Sequence, residues 1–474
     1  MKNFAIYKYR FWIGFGLVAL LAGIFVFWDL TRLPNGLTNS EMAMAAVAGK
    51  LNLSNIAHGS ADFINLPYLV LEHFSIQIFG FSTLAFRLPN SILMLLSFAF
   101  LLVVVGCRQK KNIAVVVGFL LVGSPLFLSL ARTANVGAMP VFLLSAIVWL
   151  TAILTSGRFT GWRSMLMKAA LCVSSALLIY SPGGILLVIL MVLIGLSHPK
   201  IRYEIFRNKW YKMLLGCILA ILIISPIIVS ALHGNFDWNL LGLQDWRFSN
   251  FPKFFAIFFS TNGDLVSGFA SPAFNIVVVI LAIYGAYRML RVIDSARTRF
   301  VLPLGLVAIF FAIGDPTLTF WVFVPALFAL SIGVDGLFNA WYSLFPRNPY
   351  ARIFALLPIS VLVLLIGFGS AGIYFMDNFY SSNTINKLDR EFSSVLTQLS
   401  RNSDQTLLVN KNQLSFYQNL SRNFAKLKIT DRLPEHFAKG SLIVLSSSRA
   451  KINKIPAKII TDFTAEDSVL IREY

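Results

Sequence analysis

A chain of 474 residues that is 57% hydrophobic and only 13% charged departs from the roughly 25% charged content of soluble domains. With 43 Phe and a mean hydropathy of +0.73, it carries more apolar surface than one aqueous core can hide, which excludes a water-soluble fold. The net charge of +19 would suit nucleic acid, but the 40 Lys and Arg cluster in short connections between apolar runs, as orienting charges do, and no nucleic-acid partner is expected.

In chain order, the first apolar run, Phe11 to Trp28, is too long and too bulky at its end for a cleaved signal peptide and reads as a retained helix. Ten further runs are long enough to approach a hydrocarbon core of about 30 Å. They fall near residues 90–106, 112–130, 138–155, 168–181, 184–197, 213–231, 273–290, 300–314, 318–338 and 353–376. The fifth and sixth of the eleven, around Ser181-Pro182-Gly183-Gly184, are short enough to be tilted or re-entrant. Cys107, Cys172 and Cys217 lie in or at the end of apolar runs, so neither a disulfide framework nor a metal-type Cys/His spacing is indicated.

Charge orients these runs. With the N-terminus inside, the inner connections hold twenty Lys and Arg, and the outer ones before the tail hold six: Arg32, Lys50, Arg87, Arg132, Arg247 and Lys253. Such an asymmetry predicts a cytoplasmic N-terminus in the inner membrane, and an odd helix count then places the C-terminal tail outside.

Two outer segments, residues 29–89 and 232–272, are longer than a helix connection requires, and long loops concentrate function. In the first, Leu66, Leu69, Val70, His73, Phe74, Gln77 and Ile78 recur near helical spacing and predict an interfacial helix over 67–79. The tail, 377–474, alternates the two periodicities. Ile385, Leu388, Phe392, Val395 and Leu399 form a helical stripe, a helix is expected near 411–424, and strands are expected at 406–410, 441–446, 457–463 and 468–474. The fold class expected is thus mainly α: a polytopic bundle of about eleven transmembrane helices over 1–376, followed by a small extracytoplasmic α/β domain. No glycine-rich phosphate loop occurs in the tail.

Acidic residues are scarce, and ten of the 21 fall in the tail. The remaining outer ones are Asp29, Glu41, Asp62, Glu72, Asp237, Asp245, Asp264 and Asp315. Glu41 stands in the first turn of a predicted helix, where it could complement the helix dipole with Asn39 or Ser40 as N-cap. His58, His73 and His233 are isolated and read as packing or interfacial residues rather than metal ligands. No cofactor is expected, and a divalent metal is not indicated.

Pro34-Asn35-Gly36-Leu37, Ser40-Glu41, Asn65-Leu66-Pro67-Tyr68, Ile78-Phe79-Gly80-Phe81-Ser82 and Phe86-Arg87-Leu88-Pro89 resemble the N-terminal signature of bacterial membrane glycosyltransferases related to protein O-mannosyltransferases and aminoarabinose transferases. Ala131-Arg132-Thr133-Ala134-Asn135, followed by Met139-Pro140, resembles the family's second outer loop. The likeness covers roughly residues 10–160 in motif detail. It implies the C-type glycosyltransferase superfold and transfer of a hexosyl or pentosyl group from a polyprenyl-phosphate or diphosphate carrier to an extracytoplasmic glycan, lipid or protein hydroxyl. Where the family carries an Asp-Glu pair this chain has Ser40-Glu41, and Val136-Gly137 stands where many members are acidic. With the family's presumed catalytic Asp replaced by Ser40, Glu41 is the expected catalytic base, the alternatives being another outer carboxylate or a scaffold without activity. Arg87, Arg132, Arg247 and Lys253, with Asn39 and Ser40, are the expected substrate-binding groups, because a phosphate leaving group calls for cations rather than a general acid.

A non-catalytic polysaccharide-assembly subunit and a lipid-carrier flippase or transporter remain as alternatives. A secondary transporter would place ionisable groups near the bilayer midplane, and these runs hold almost none.

Overall fold

The computed structural model describes residues 5–51, 63–157, 161–197, 199, 202–203, 211–234, 236–260, 265–292, 295–344, 349–380, 384, 387–390, 392, 395–396, 405–409, 411–422, 427–431, 441–444, 458–461 and 470–473. His58, Asp62 and Asp264 lie outside them, as do most of the positions expected to form a helix over 385–399.

All eleven apolar runs carry helix. They correspond to α1 (Ala5–Phe27), α4 (Thr83–Arg108), the pair α5 (Lys111–Val122) and α6 (Pro125–Arg132), α7 (Ala138–Leu154), α8 (Trp162–Leu178), α9 (Gly184–Ser197), α10 (Tyr211–Leu232), α12 (Ile276–Arg291), α13 (Ala296–Gly314), α14 (Phe323–Leu344) and α15 (Pro349–Tyr380). The outer segments hold α2 (Asn39–Lys50), α3 (Leu66–Phe79) and α11 (Phe251–Phe259), so the helix expected over 67–79 is present. Among the described residues four helices are long and apolar enough to cross a membrane, or five if the bent pair α5–α6 counts as one span; four more are apolar but shorter.

The pair α5–α6 departs from the single run expected at 112–130. It bends by 69° because Pro125, at the first position of α6, has no N–H to continue the ladder, while the Ser124 hydroxyl caps the new helix at Phe127 N.

Contacts divide the chain into two compact units. The larger comprises Met1–Trp28, Leu53–Tyr68 and Asn90–Asp377; the smaller comprises Asp29–Asn52, Leu69–Pro89 and Asn378–Tyr474. Two stretches of the first outer segment thus group with the tail.

In the larger unit one continuous apolar core runs through the helices, from Val18 on α1 to Tyr374 on α15. Outward faces are apolar as well: Trp12, Leu222, Leu306 and Leu365 are each more than 60% exposed, which is tolerable in lipid and a liability in water. The backbones of α12 and α14 approach so closely that a Cβ at Gly285 or Gly333 would strike a carbonyl of the partner helix, as small residues permit in membrane bundles. Buried hydroxyls return to their own helices, Ser97 to Leu93 O, Ser145 to Val141 O and Ser370 to Ile366 O, each at 2.7 Å, so no donor is left facing hydrocarbon there.

The smaller unit contains a five-stranded mixed sheet of order β4-β3-β5-β7-β6. Its strands are β3 (Gln405–Leu408), β4 (Leu427–Thr430), β5 (Ser441–Val444), β6 (Lys458–Thr461) and β7 (Leu470–Glu473); the short hairpin β1 (Leu265–Val266) and β2 (Phe269–Ala270) belongs to the larger unit. β3 pairs parallel with β4 and β5, and β7 pairs antiparallel with β5 and β6. The strand β4 has no counterpart among the expected ones. The helix expected near 411–424 is broken into 3₁₀ turns at 411–413 and 420–422 flanking α16 (Leu414–Tyr417). Of the expected apolar stripe, Leu388, Phe392 and Val395 are described and buried. Phe392 joins Phe81, Phe86, Phe416 and Tyr417 in an aromatic cluster with ring centroids 4.9–6.3 Å apart, so chain from the first outer segment and from the tail shares one core.

Candidate functional site

The first outer segment is organised around Glu41. Thr38, not Asn39 or Ser40, is the N-cap of α2: its hydroxyl accepts from Glu41 N at 3.1 Å, and Glu41 Oε2 accepts from Thr38 N at 2.7 Å, a reciprocal capping box. Asn39 and Ser40 are exposed, and the Ser40 hydroxyl lies 2.9 Å from that of Thr38. The Thr-x-x-Glu spacing was readable in the sequence and identifies the cap without further information.

Glu41 Oε1 then accepts from Arg87 Nε at 3.2 Å in an ion pair whose two side chains are 0% and 1% exposed. Arg87 also donates to Leu30 O and Pro34 O at 3.1 Å and to Gly36 O at 2.5 Å. One guanidinium therefore gathers three carbonyls of the turn over residues 30–36, and one carboxylate fixes the helix that follows. Gly36 is required where it stands, with a φ of +125° and a hypothetical Cβ only 2.7 Å from Asp389 O. Beside it Leu37 and Asp389 exchange two backbone hydrogen bonds of 2.7 Å. His73 has both ring nitrogens engaged, one 2.8 Å from Ala48 O and the other 2.8 Å from Gln77 Nε2, as a packing residue would. Arg87 thus has its donors directed to Glu41 and to protein carbonyls, and each Glu41 oxygen accepts one of these hydrogen bonds, which leaves a further lone pair on each.

Arg132 belongs to the larger unit. It ends α6, is fully buried, and donates to Phe25 O at 2.6 Å, Val26 O at 3.0 Å and Trp28 O at 2.7 Å. It thereby caps the last carbonyls of α1, groups that a helix leaves without partners. The guanidinium lies 5.0 Å from the centre of the Phe375 ring. Asn90 donates to Thr133 O and Asn135 O at 2.7 Å, and Ser91 to Ala131 O at 2.8 Å, so the whole Ala131–Asn135 stretch is held. An Arg132→Met variant should therefore lose stability, about 1–3 kcal/mol for each buried carbonyl left without its donor, while folded protein keeps its apparent affinity for a lipid-linked donor. Thermal unfolding in detergent beside donor KM checks this; a stable variant with a raised donor KM would restore Arg132 to the binding site.

The second outer segment presents its cations differently. Arg247 and Lys253 are both exposed. Their backbone is anchored to the end of α13: Arg247 N and Asn250 Nδ2 donate to Gly314 O at 3.0 and 2.7 Å, and Trp246 Nε1 donates to Phe310 O at 3.1 Å. Trp246 stacks on Phe310 at 5.1 Å and covers Gly314 so closely that no Cβ fits there. Asp315 accepts from Thr317 N at 2.9 Å and from its hydroxyl at 2.8 Å, and Asp237 accepts from Asn239 N at 3.0 Å, so both carboxylates serve as turn caps. Lys253 opens α11, which starts with Pro252 in its first turn. Phe254, Phe258 and Phe259 of that helix form one wall of a cavity of about 460 Å³, completed by Phe274, Leu290 and Ile309 among other apolar side chains. The sequence signal for this feature was Phe251-Pro252-Lys253-Phe254-Phe255, a proline at a helix start followed by an aromatic run; the cavity behind it depends on α12, α13 and α14 and has no local signature.

Residues 67–229 match the family described as dolichyl-phosphate-mannose-protein mannosyltransferase. No curated protein matches the chain by sequence. Among solved structures, the chain is similar to ArnT from Cupriavidus metallidurans in the apo state, with a TM-score of 0.54 and 13% identity over 97% of this chain and 98% of that one. The undecaprenyl-phosphate-bound form of the same protein gives 0.53 and 13%, over 97% of both chains. The archaeal oligosaccharyltransferase AglB from Archaeoglobus fulgidus, in complex with an inhibitory peptide and a dolichol-phosphate, gives 0.52 and 12%, over 94% of this chain and 70% of that one. The chain is a multi-pass membrane protein with the fold of ArnT, and the stretch 67–229 carries the family match.

Proposed function

We propose that this protein is a membrane glycosyltransferase that takes a sugar from a polyprenyl-phosphate or diphosphate carrier and transfers it to a hydroxyl of an extracytoplasmic glycan, lipid or protein. The observation that carries the reading is the pairing of exposed Lys253, at the head of α11, with the apolar cavity that the Phe residues of the same helix wall off. A polyprenyl phosphate is an anion on a long hydrocarbon, and an exposed cation next in sequence to the cavity-lining Phe254 offers chemistry for both ends. Fold likeness to a protein solved with undecaprenyl phosphate supports the choice of carrier.

In this reading Arg247 and Lys253 stabilise the charge that develops on the departing phosphate, which needs no proton because it leaves as an anion. Glu41 and Arg87 are positioning residues: they hold the turn over 30–36 and the start of α2 in one arrangement. The sidedness inferred from charge also fits. Residues 29–52, 69–89 and 378–474 are all assigned to the outer face by the Lys/Arg count, and these stretches form the smaller unit.

A photoreactive polyprenyl phosphate tests the carrier assignment. Label should map to α11 and to the facing residues of α12 and α13, and excess unlabelled carrier should compete it away. Competable labelling confined to helices that do not border this cavity would overturn the placement.

A further inference from the structure

A groove of about 980 Å³ runs between α1 and α4 in the larger unit. α5 closes it from behind: a Cβ at Gly118 would lie 2.9 Å from Val18 of α1 and 3.3 Å from Leu102 of α4, so both helices converge on a residue without a side chain. Val18, Ala22, Phe98 and Leu102 are buried and form the floor, whereas Trp12 is 76% and Val103 47% exposed at the rim. The groove therefore opens towards lipid. Its length is that of one leaflet. The lining runs along α1 from Phe11 to Gly23, about 18 Å at a rise of about 1.5 Å per residue, against about 15 Å for half a hydrocarbon core. A partner transmembrane helix would need a seat about twice as long.

Charge distinguishes the two ends. Lys111, the first residue of α5, stands at the end marked by Phe11 and Trp12, its ammonium 5.7 Å from the centre of the Phe11 ring. The opposite end, at Gly23 and Leu95, is apolar. The other cations of this connection are directed elsewhere: Lys110 lies 3.4 Å from Asp335 and 3.2 Å from Asn339, and Arg108 donates to Ala152 O and the Thr155 hydroxyl. Lys111 is exposed, and residues 1–28 and 90–122, which supply the whole lining, contain no Asp or Glu. The Lys/Arg count assigns this end to the inner leaflet, whose surface potential is negative. We propose that the groove holds one anionic glycerophospholipid, with its phosphate at Lys111 and its acyl chains along the floor towards Gly23 and Leu95. A polyprenyl phosphate carries the same anion on a chain much longer than one leaflet and fits the groove less well. The site is separate from the α11 cavity and does not depend on the function proposed for it.

The test is native mass spectrometry of the full-length protein after graded delipidation, with phosphatidylglycerol, phosphatidylcholine and undecaprenyl phosphate offered in turn. One phosphatidylglycerol per chain should survive conditions that strip phosphatidylcholine. In Lys111→Gln its retention should fall about fivefold or more, the order that one basic residue contributes at an anionic surface, and Lys111→Arg should keep it. Gly23→Leu tests the hydrocarbon end. A Cβ at Gly23 meets nothing within 4 Å, so this variant should fold, while its side chain fills the groove and lowers retention as well. Equal retention of phosphatidylcholine by the unmodified protein overturns the proposal without recourse to a variant. Unchanged retention of phosphatidylglycerol in folded Lys111→Gln or Gly23→Leu overturns it too. Displacement of the retained lipid by equimolar undecaprenyl phosphate, or its exclusion by association of two chains, would assign the groove to another occupant.

Discussion

Arg87→Met should destabilise the protein by about 3–5 kcal/mol, the cost of leaving one member of a buried ion pair without its partner. The loss should be local first. Arg87 ties together Leu30 O, Pro34 O, Gly36 O and Glu41, so residues 29–52 should become susceptible to protease before the helices of the larger unit unfold. Glu41→Gln is the informative companion. Its amide keeps the shape and can still accept from Thr38 N, but the charge opposite Arg87 is gone. If Glu41 is the anchor that its geometry suggests, its loss of activity should follow the fraction of protein with a disrupted first segment, and the double variant should cost less than the sum of the single ones. A Glu41→Gln protein as stable as the parent but slower by about 10² to 10⁴, the usual contribution of a general base, would instead make Glu41 catalytic.

The second large effect is expected at the exposed cations. Reversing both charges, Arg247→Glu with Lys253→Glu, should lower kcat/KM for a polyprenyl-phosphate donor by about a hundredfold or more, since each charge-assisted contact contributes about 1.5–3 kcal/mol. Both side chains are exposed, so folding should be nearly unaffected, and the parent's donor capture should weaken as ionic strength rises. Equal donor kinetics in the parent and the double variant would remove the second outer segment from phosphate binding.

The helices could be read from hydropathy because each lipid-facing run must satisfy its backbone internally, and every apolar run contains one. The break between α5 and α6 was less obvious because Gly123-Ser124-Pro125 is a short interruption in a long apolar run, and hydropathy averages over it. In the tail, β4 was missed because Leu427-Lys428-Ile429-Thr430 has no two consecutive apolar residues, whereas each of the equally short strands that were expected contains such a pair. For the site, scarcity of charge singled out Glu41, Arg87 and Arg132, but not what they do. The partners of Arg132 are carbonyls at Phe25, Val26 and Trp28, more than a hundred positions away, and main-chain acceptors leave no trace in side-chain pattern. Thr38 is different, since a capping box is local and its spacing to Glu41 announces it, yet Asn39 or Ser40 was the cap expected from the sequence. The α11 cavity was invisible for the opposite reason: its walls are ordinary apolar residues that acquire meaning only when five helices meet.

The most direct measurement is single-turnover consumption of a labelled polyprenyl-phosphate sugar by the purified full-length protein in lipid nanodiscs, with extracytoplasmic glycan, lipid and peptide acceptors supplied in parallel. The account predicts that label leaves the carrier and appears covalently on one acceptor class, with the rate reduced in the Arg247→Glu, Lys253→Glu variant. Carrier bound tightly by folded protein, with the label staying on it across a broad panel of sugars and acceptors, would contradict the enzyme assignment and favour a non-catalytic subunit or a flippase.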